Sequence, residues 1–303
     1  MKTQRFWPLY VLLGAMWLYV LASSLATAQT SSLTQTLPSG QRLLLEFTVL
    51  VPLLVIWFVA LHGALTLRRY ARLIAGSPEA RGLGAIADGL FWLIAYLIFT
   101  SVFGAIIQTL AHHQSVQLLV SFKNHALVAM GFIGSALLYY GSTQLRRAVY
   151  FTTWNQAALW LFALFCIGAA VFTWMFTWST VSTDRNGVPL YALPKPTLAF
   201  SLILPYILAW FMSLLAGLNI GRYAATVKGP IYRQALRRLV WGLVALTALS
   251  ITLQVLTLAA IVVSGLSLTL TLLLVYILLL FYGWAFWLVQ AGARQLTQLE
   301  AVS

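Results

Sequence analysis

A chain of 303 residues with 61% hydrophobic and 8% charged positions cannot clothe a water-facing surface, which takes roughly 25% charged residues in a soluble domain. Its exterior has to face a lipid bilayer, and the mean hydropathy of +0.91 agrees. The net charge of +13 would suggest nucleic acid in a soluble protein, but here it reports membrane topology and attraction to anionic lipid, and no nucleic-acid partner is expected.

In chain order, apolar stretches fall at 7–27, 43–66, 86–110, 118–140, 154–178, 197–220, 238–263 and 268–290. Each is at or near the ~20 residues a helix needs to cross ~30 Å of hydrocarbon. The pattern predicts an all-α polytopic membrane protein with eight transmembrane helices, and the 12 tryptophans fit interfacial anchoring. The first stretch follows Lys2 and Arg5 and ends in Ala26-Thr27-Ala28, as a signal peptide would. Its apolar run from Trp7 exceeds the roughly 7–15 residues of a signal core, so a retained helix is expected.

One alternating set of segments, at or between the ends of the stretches, carries Lys2, Arg5, Arg68, Arg69, Arg72, Arg81, Arg146, Arg147, Arg222, Lys228, Arg233, Arg237, Arg238 and Arg294. The other side keeps Arg42, Lys123, Arg185 and Lys195. The positive-inside bias places the first set, and both termini, in the cytoplasm of a multi-pass cell-membrane protein. Cys166 stands alone mid-stretch, so neither a disulfide framework nor a thiol ligand set is expected.

Residues 47–71 and 200–224 align without a gap at an offset of 153. Shared pairs include Phe47/Phe200, Pro52/Pro205, Trp57/Trp210, Phe58/Phe211, Arg69/Arg222, Tyr70/Tyr223 and Ala71/Ala224. The same offset carries the other stretches of one half onto those of the other in hydropathy register, with Gly89 on Gly242. Gly141-Ser-Thr-Gln-Leu resembles Gly292-Ala-Arg-Gln-Leu after a two-residue slip. The expected organisation is two tandem four-helix repeats, 1–150 and 151–303. Four spans per half make them parallel, related by an axis near the membrane normal.

Pro52 and Pro205 remove a backbone donor and free the carbonyls of Thr48 and Ser201, which marks both as paired hinges. A hydroxyl beside each loosened turn helps to satisfy the backbone. The Arg-Tyr-Ala endings are expected to set a cation and an amphipathic ring at the cytoplasmic interface.

Ionisable groups in hydrocarbon cost on the order of 3 kcal/mol, so each is a site candidate. The five acidic residues, Glu46, Glu79, Asp88, Asp184 and Glu300, avoid the centres of the stretches, which disfavours a carboxylate-driven pump and a two-carboxylate hydrolase. The densest polar feature is Lys123-Asn124-His125 in the outer part of the fourth stretch. With Glu46 as partner for Lys123, and Gln108 beside the His112-His113 pair, it suggests an outward-facing ligand pocket. At the 153 offset, Lys123, Asn124 and His125 correspond to Tyr276, Ile277 and Leu278, so the second half lacks this cluster.

Thr247, Ser250, Gln254 and Thr257 share one helix face, with Thr100, Ser101 and Gln108 as a looser counterpart. Such stripes are expected to form interhelical hydrogen-bond seams. Gly131, Gly134, Ser135, Gly63 and Ala64 read as close-packing positions. His62 lies at the cytoplasmic end of its stretch while His112, His113 and His125 lie outside, so no haem, metal or other cofactor is expected. No phosphate-cradling loop, nucleophile elbow or zinc motif occurs, and no enzymatic activity is expected. Two functions remain: a small-solute transporter or pore with an outward pocket, and a non-catalytic accessory or scaffold subunit with a membrane-protein partner.

Overall fold

The computed structural model describes residues 7–28, 39–111, 117–147, 181–183, 189–191, 195–262 and 268–300. Among these are seven helices: α1 (Trp7–Ala28), α2 (Ser39–Leu73), α3 (Pro78–Ala111), α4 (Gln117–Arg147), α5 (Lys195–Thr226), α6 (Pro230–Val262) and α7 (Leu268–Glu300). The stretch at 154–178, with Cys166, lies outside the described residues. Three segments, Phe47–Leu73, Pro78–Ile107 and Tyr276–Leu299, are long and apolar enough to cross a bilayer. The protein is therefore a helical membrane protein.

Helices alone were expected, and the structure adds a short strand pair. β1 (Val181–Thr183) runs antiparallel to β2 (Pro189–Tyr191), with Val181 opposite Tyr191. β-branched Val181 and Thr183 suit a strand, and the intervening Asn186-Gly187 is a hairpin signal that a search for apolar stretches passes over.

The helices also outrun their apolar stretches at the arginine-rich end. Leu, Arg and Ala, all good helix formers, carry α2 on to Leu73. The chain then turns within residues 74–77, where Ser77 N donates to Ile74 O at 2.8 Å. Pro78 opens α3 at a position where its missing donor is not needed. The matching corner, 227–229, is tighter. Gly229 adopts φ 139°, a conformation that side-chain-bearing residues avoid. Pro230 follows as the first residue of α6, and Arg233 closes the corner by donating from Nη2 to Val227 O at 3.0 Å.

Six helices pack in a closed cycle, α2 on α3, α3 on α4, α4 on α5, α5 on α6, α6 on α7, and α7 back on α2. All six feed one core, with Leu67, Leu83, Leu138, Ile220, Leu239 and Phe286 among its buried members. α1 lies against α2 and α3 over a smaller cluster around Trp57. Trp17 Nε1 donates to Leu50 O at 2.8 Å and Ser23 Oγ to Ala105 O at 3.1 Å, which ties α1 to both neighbours.

Lipid is as apolar as leucine, so helix association here rests on close packing rather than on expelling water. Glycine permits it. A Cβ on Gly141 of α4 would sit 2.5 Å from Gly82 O of α3, and one on Gly89 would sit 2.8 Å from Gly134 O. Across α6 and α7, a Cβ on Gly292 would lie 2.7 Å from Ala235 O and one on Gly242 would lie 2.8 Å from Ala285 O. The backbones therefore touch at two points in each pair. Gly141→Val should lower stability in detergent by about 1–3 kcal/mol through forced separation. Gly104→Ala, with nothing within 4 Å of the added carbon, should be neutral or stabilising by about 0.5–1 kcal/mol. Thermal unfolding of both variants checks this, and equal effects would contradict the contact.

Candidate functional site

The expected outer cluster is spread over three helices: Glu46 on α2, Gln108 on α3, and Lys123, Asn124 and His125 on α4. α4 begins at Gln117, so Lys123 stands about 9 Å along it at 1.5 Å per residue. The five side chains lie outside the described residues, as do His112 and His113. What flanks them is described. Phe122, next to Lys123, meets Phe103 at 5.6 Å and Phe99 at 6.5 Å between ring centroids, binding α4 to α3. On the far side of α2, the Thr48 hydroxyl pairs with the Tyr276 phenol of α7. Pro52 lies inside α2, and Pro205 lies within α5.

Polar groups deeper in the bundle satisfy one another. Ser213 Oγ of α5 donates to Ser135 Oγ of α4 at 3.2 Å, and Asn219 Nδ2 donates to Ser142 Oγ at 3.3 Å. Ser142 passes its own proton to Tyr139 O at 2.7 Å. All four side chains are buried. Among the described residues an interhelical seam thus runs along α4 and α5. Thr247, Thr100 and Ser101 each donate to a carbonyl four residues earlier in their own helix. That carbonyl is the nearest acceptor a mid-helix hydroxyl has. The side chains of Ser250, Gln254 and Thr257 lie outside the described residues.

His62 faces α1, where its Nδ1 pairs with the Tyr10 hydroxyl at 3.0 Å. Asp88 meets Arg68 at 3.5 Å, both side chains close to half exposed, so this pair contributes little. Arg68 also lies 5.6 Å over the Phe91 ring.

The strongest polar assembly stands at the arginine-rich end, where sequence reading had placed tyrosines in the lipid interface. Instead Tyr70 is 4% and Tyr223 6% exposed, while the adjoining Arg69 and Arg222 point outward. Each helix turns the arginine to the surface and the next residue inward, beside small Ala71 and Ala224. Burial is tolerable because the phenols find partners. Tyr223 Oη donates to Glu79 Oε1 at 3.4 Å, and Tyr232 and Tyr70 stand close enough to act on the same phenol.

A carboxylate only accepts, so the single phenol proton of Tyr223 goes to Glu79, and Tyr223 can only accept from a neighbouring phenol. The four residues come from α2, α3, α5 and α6, so the cluster crosses the helix cycle. Each corner supplies two members nine residues apart, Tyr70 with Glu79 and Tyr223 with Tyr232. The two corners clasp each other.

Tyr223 and Tyr232 lie beyond the apolar stretches 197–220 and 238–263. Burial first, and then the Glu79 charge, push the Tyr223 phenol up to about 12. Burial, reinforced by Tyr223, raises Tyr232 as well. The cluster is thus held neutral except at its carboxylate end. Among the described residues no group of three or more His, Cys, Asp or Glu comes together. The chain matches no family model, no curated protein and no solved structure.

Tyr223→Phe should cost about 1–3 kcal/mol of stability because it strands a half-buried carboxylate. The phenol proton is bound more tightly in the folded state than in the unfolded one. The advantage of the native protein over Tyr223→Phe should therefore be full below pH 10 and fade as pH rises toward 12. Unfolding midpoints of the pair from pH 8 to 12 measure it, and a constant difference would count against a buried neutral phenol.

Proposed function

We propose that the chain is a small-solute transporter of eight spans, two parallel four-helix repeats at 1–150 and 151–303, with both termini cytoplasmic. Support for the repeat comes from how the helices meet. Exchanging α2 with α5, α3 with α6 and α4 with α7 maps the helix cycle onto itself. The backbone contacts map too. Gly141 against Gly82 O and Ile86 N matches Gly292 against Ala235 O and Leu239 N. Gly89 against Gly134 O and Leu138 N matches Gly242 against Ala285 O and Val289 N. The first two helix pairs are shifted by 153 residues and the third by 151, the same slip that relates the Gly141 and Gly292 segments. With that slip the counterparts of Lys123, Asn124 and His125 become Leu274, Val275 and Tyr276. The second half still lacks the cluster.

The observation that carries the transport reading is the clasp. Tyr70 corresponds to Tyr223 and Glu79 to Tyr232, so the Tyr223–Glu79 bond, with the other two tyrosines beside it, joins equivalent corners of the two halves where their axis would emerge. On this proposal it is the closure of the arginine-rich end, which would face the cytoplasm. Glu46, Gln108, Lys123, Asn124 and His125 belong to the opposite end, where a solute would enter. Relative movement of the halves has to break this clasp to release solute inward.

In proteoliposomes screened for permeation of small polar solutes, Lys123→Leu should reduce flux about ten-fold or more with folding intact. Tyr223→Phe should raise leak by loosening the cytoplasmic closure. Unchanged flux in both variants would remove the transport reading.

A second reading, an accessory or scaffold subunit, draws on the mutually satisfied α4–α5 seam and on the exposed apolar face of α7, which carries Leu273, Ile277, Leu280, Trp284 and Trp287. Gentle solubilisation and native mass spectrometry would then find a stoichiometric membrane-protein partner. A chain that stays alone and stable speaks for the transporter.

A further inference from the structure

A separate polar feature sits at the arginine-rich end of the bundle. A cavity of about 320 Å³ opens there, lined by Arg238 of α6 and by Trp287, Gln290, Arg294, Gln295 and Gln298 of α7. Steps of three and four residues from Trp287 through Gln290 and Arg294 to Gln298 place these on one face of α7. Gln295 Nε2 donates to Gln234 Oε1 at 3.2 Å, which braces that wall against α6.

Chain direction orders the wall by depth. α7 runs toward the arginine-rich end and α6 runs away from it. Trp287, and Trp241 on α6, therefore lie on the apolar side of the arginines. Trp287 and Arg294 are about 10 Å apart along the helix at 1.5 Å per residue. Trp287 is 54% and Trp241 63% exposed. Indoles below and guanidinium groups above reproduce the layering of a bilayer boundary.

Among the described residues the cavity is basic without an internal counter-charge. Of the carboxylates whose side chains are described, Asp88 is engaged by Arg68 and Glu79 by Tyr223. Neither lines the cavity. The wall therefore offers two guanidinium groups and three amides to an anion and presents no described carboxylate to repel it. Arginine forks match phosphate oxygens in geometry as well as charge.

We infer that this cavity binds the phosphate of an anionic phospholipid, Arg238 and Arg294 holding its charge while the glutamine amides hydrogen-bond its oxygens. A free phosphate shares the anion chemistry but has no acyl chains to lie across the exposed Trp241 and Trp287. Basic pockets at the cytoplasmic boundary of membrane helices are a recurrent setting for such headgroups. The site is independent of solute transport.

Native mass spectrometry of the full chain, with phosphatidylglycerol and phosphatidylcholine supplied in equal amounts, tests the inference. Phosphatidylglycerol should be retained preferentially, about five-fold less with either Arg238→Gln or Arg294→Gln, and about 25-fold less with both. Competition between the two lipids on the native protein decides the matter even if the double variant folds poorly. Equal retention of both lipids would overturn the inference. So would retention that the arginine variants leave unchanged, or displacement of phosphatidylglycerol by millimolar inorganic phosphate, which would mark a site for soluble anions.

Discussion

Hydrocarbon offers no hydrogen-bond partner, and the architecture follows from that constraint. Backbone groups are satisfied within long helices, and mid-helix hydroxyls turn back to their own carbonyls, as Thr247 does to Leu243. Several polar side chains instead meet groups of another helix, as along the Ser135–Ser213 and Ser142–Asn219 seam. At the arginine-rich end burial within the protein takes the place of hydrocarbon: it makes the Tyr223–Glu79 pair costly to leave unmade and strengthens it electrostatically.

Close helix approach supplies the rest of the cohesion. Gly82, Gly89, Gly134 and Gly141 let α3 and α4 touch backbone to backbone, and Gly242 and Gly292 do the same for α6 and α7. On the proposed repeat these are one contact used twice. The remaining junctions differ in chemistry. α4 meets α5 through serines and an asparagine, whereas α2 meets α7 with Gly63 pressed on the backbone and Cβ of Gln290 and with the Thr48 hydroxyl paired to the Tyr276 phenol.

Hydropathy made the helices legible, because stretches such as 43–66 and 86–110 are apolar all round and need no tertiary context. The two-residue slip was visible in Gly141 and Gly292 for the same kind of reason: backbone contact tolerates little besides glycine. The extensions past Thr66 and before Ile86 were hidden, since charged and small residues dilute the hydropathy signal there while Leu67, Tyr70 and Leu83 still pack inward. The inward turn of Tyr70 and Tyr223 was also hidden. An amphipathic ring beside an arginine reads as an interfacial anchor until its partner is known. That partner could have been found by carrying the offset onto unlike residues, which brings Glu79 onto Tyr232. A search restricted to identities misses a carboxylate matched with a phenol. Lys123, Asn124 and His125 remain a reading of sequence alone, placed on α4 but with side chains outside the described residues.

The clasp between the two corners is where fold and mechanism meet. A double-mutant cycle of Tyr223→Phe with Glu79→Leu, read as unfolding free energy in detergent, probes it directly. The two residues are bonded across α3 and α5, so the coupling should fall at about 1 kcal/mol or above, within the range for residues in contact. Additive effects, with coupling near zero, would mean that the corners do not hold each other.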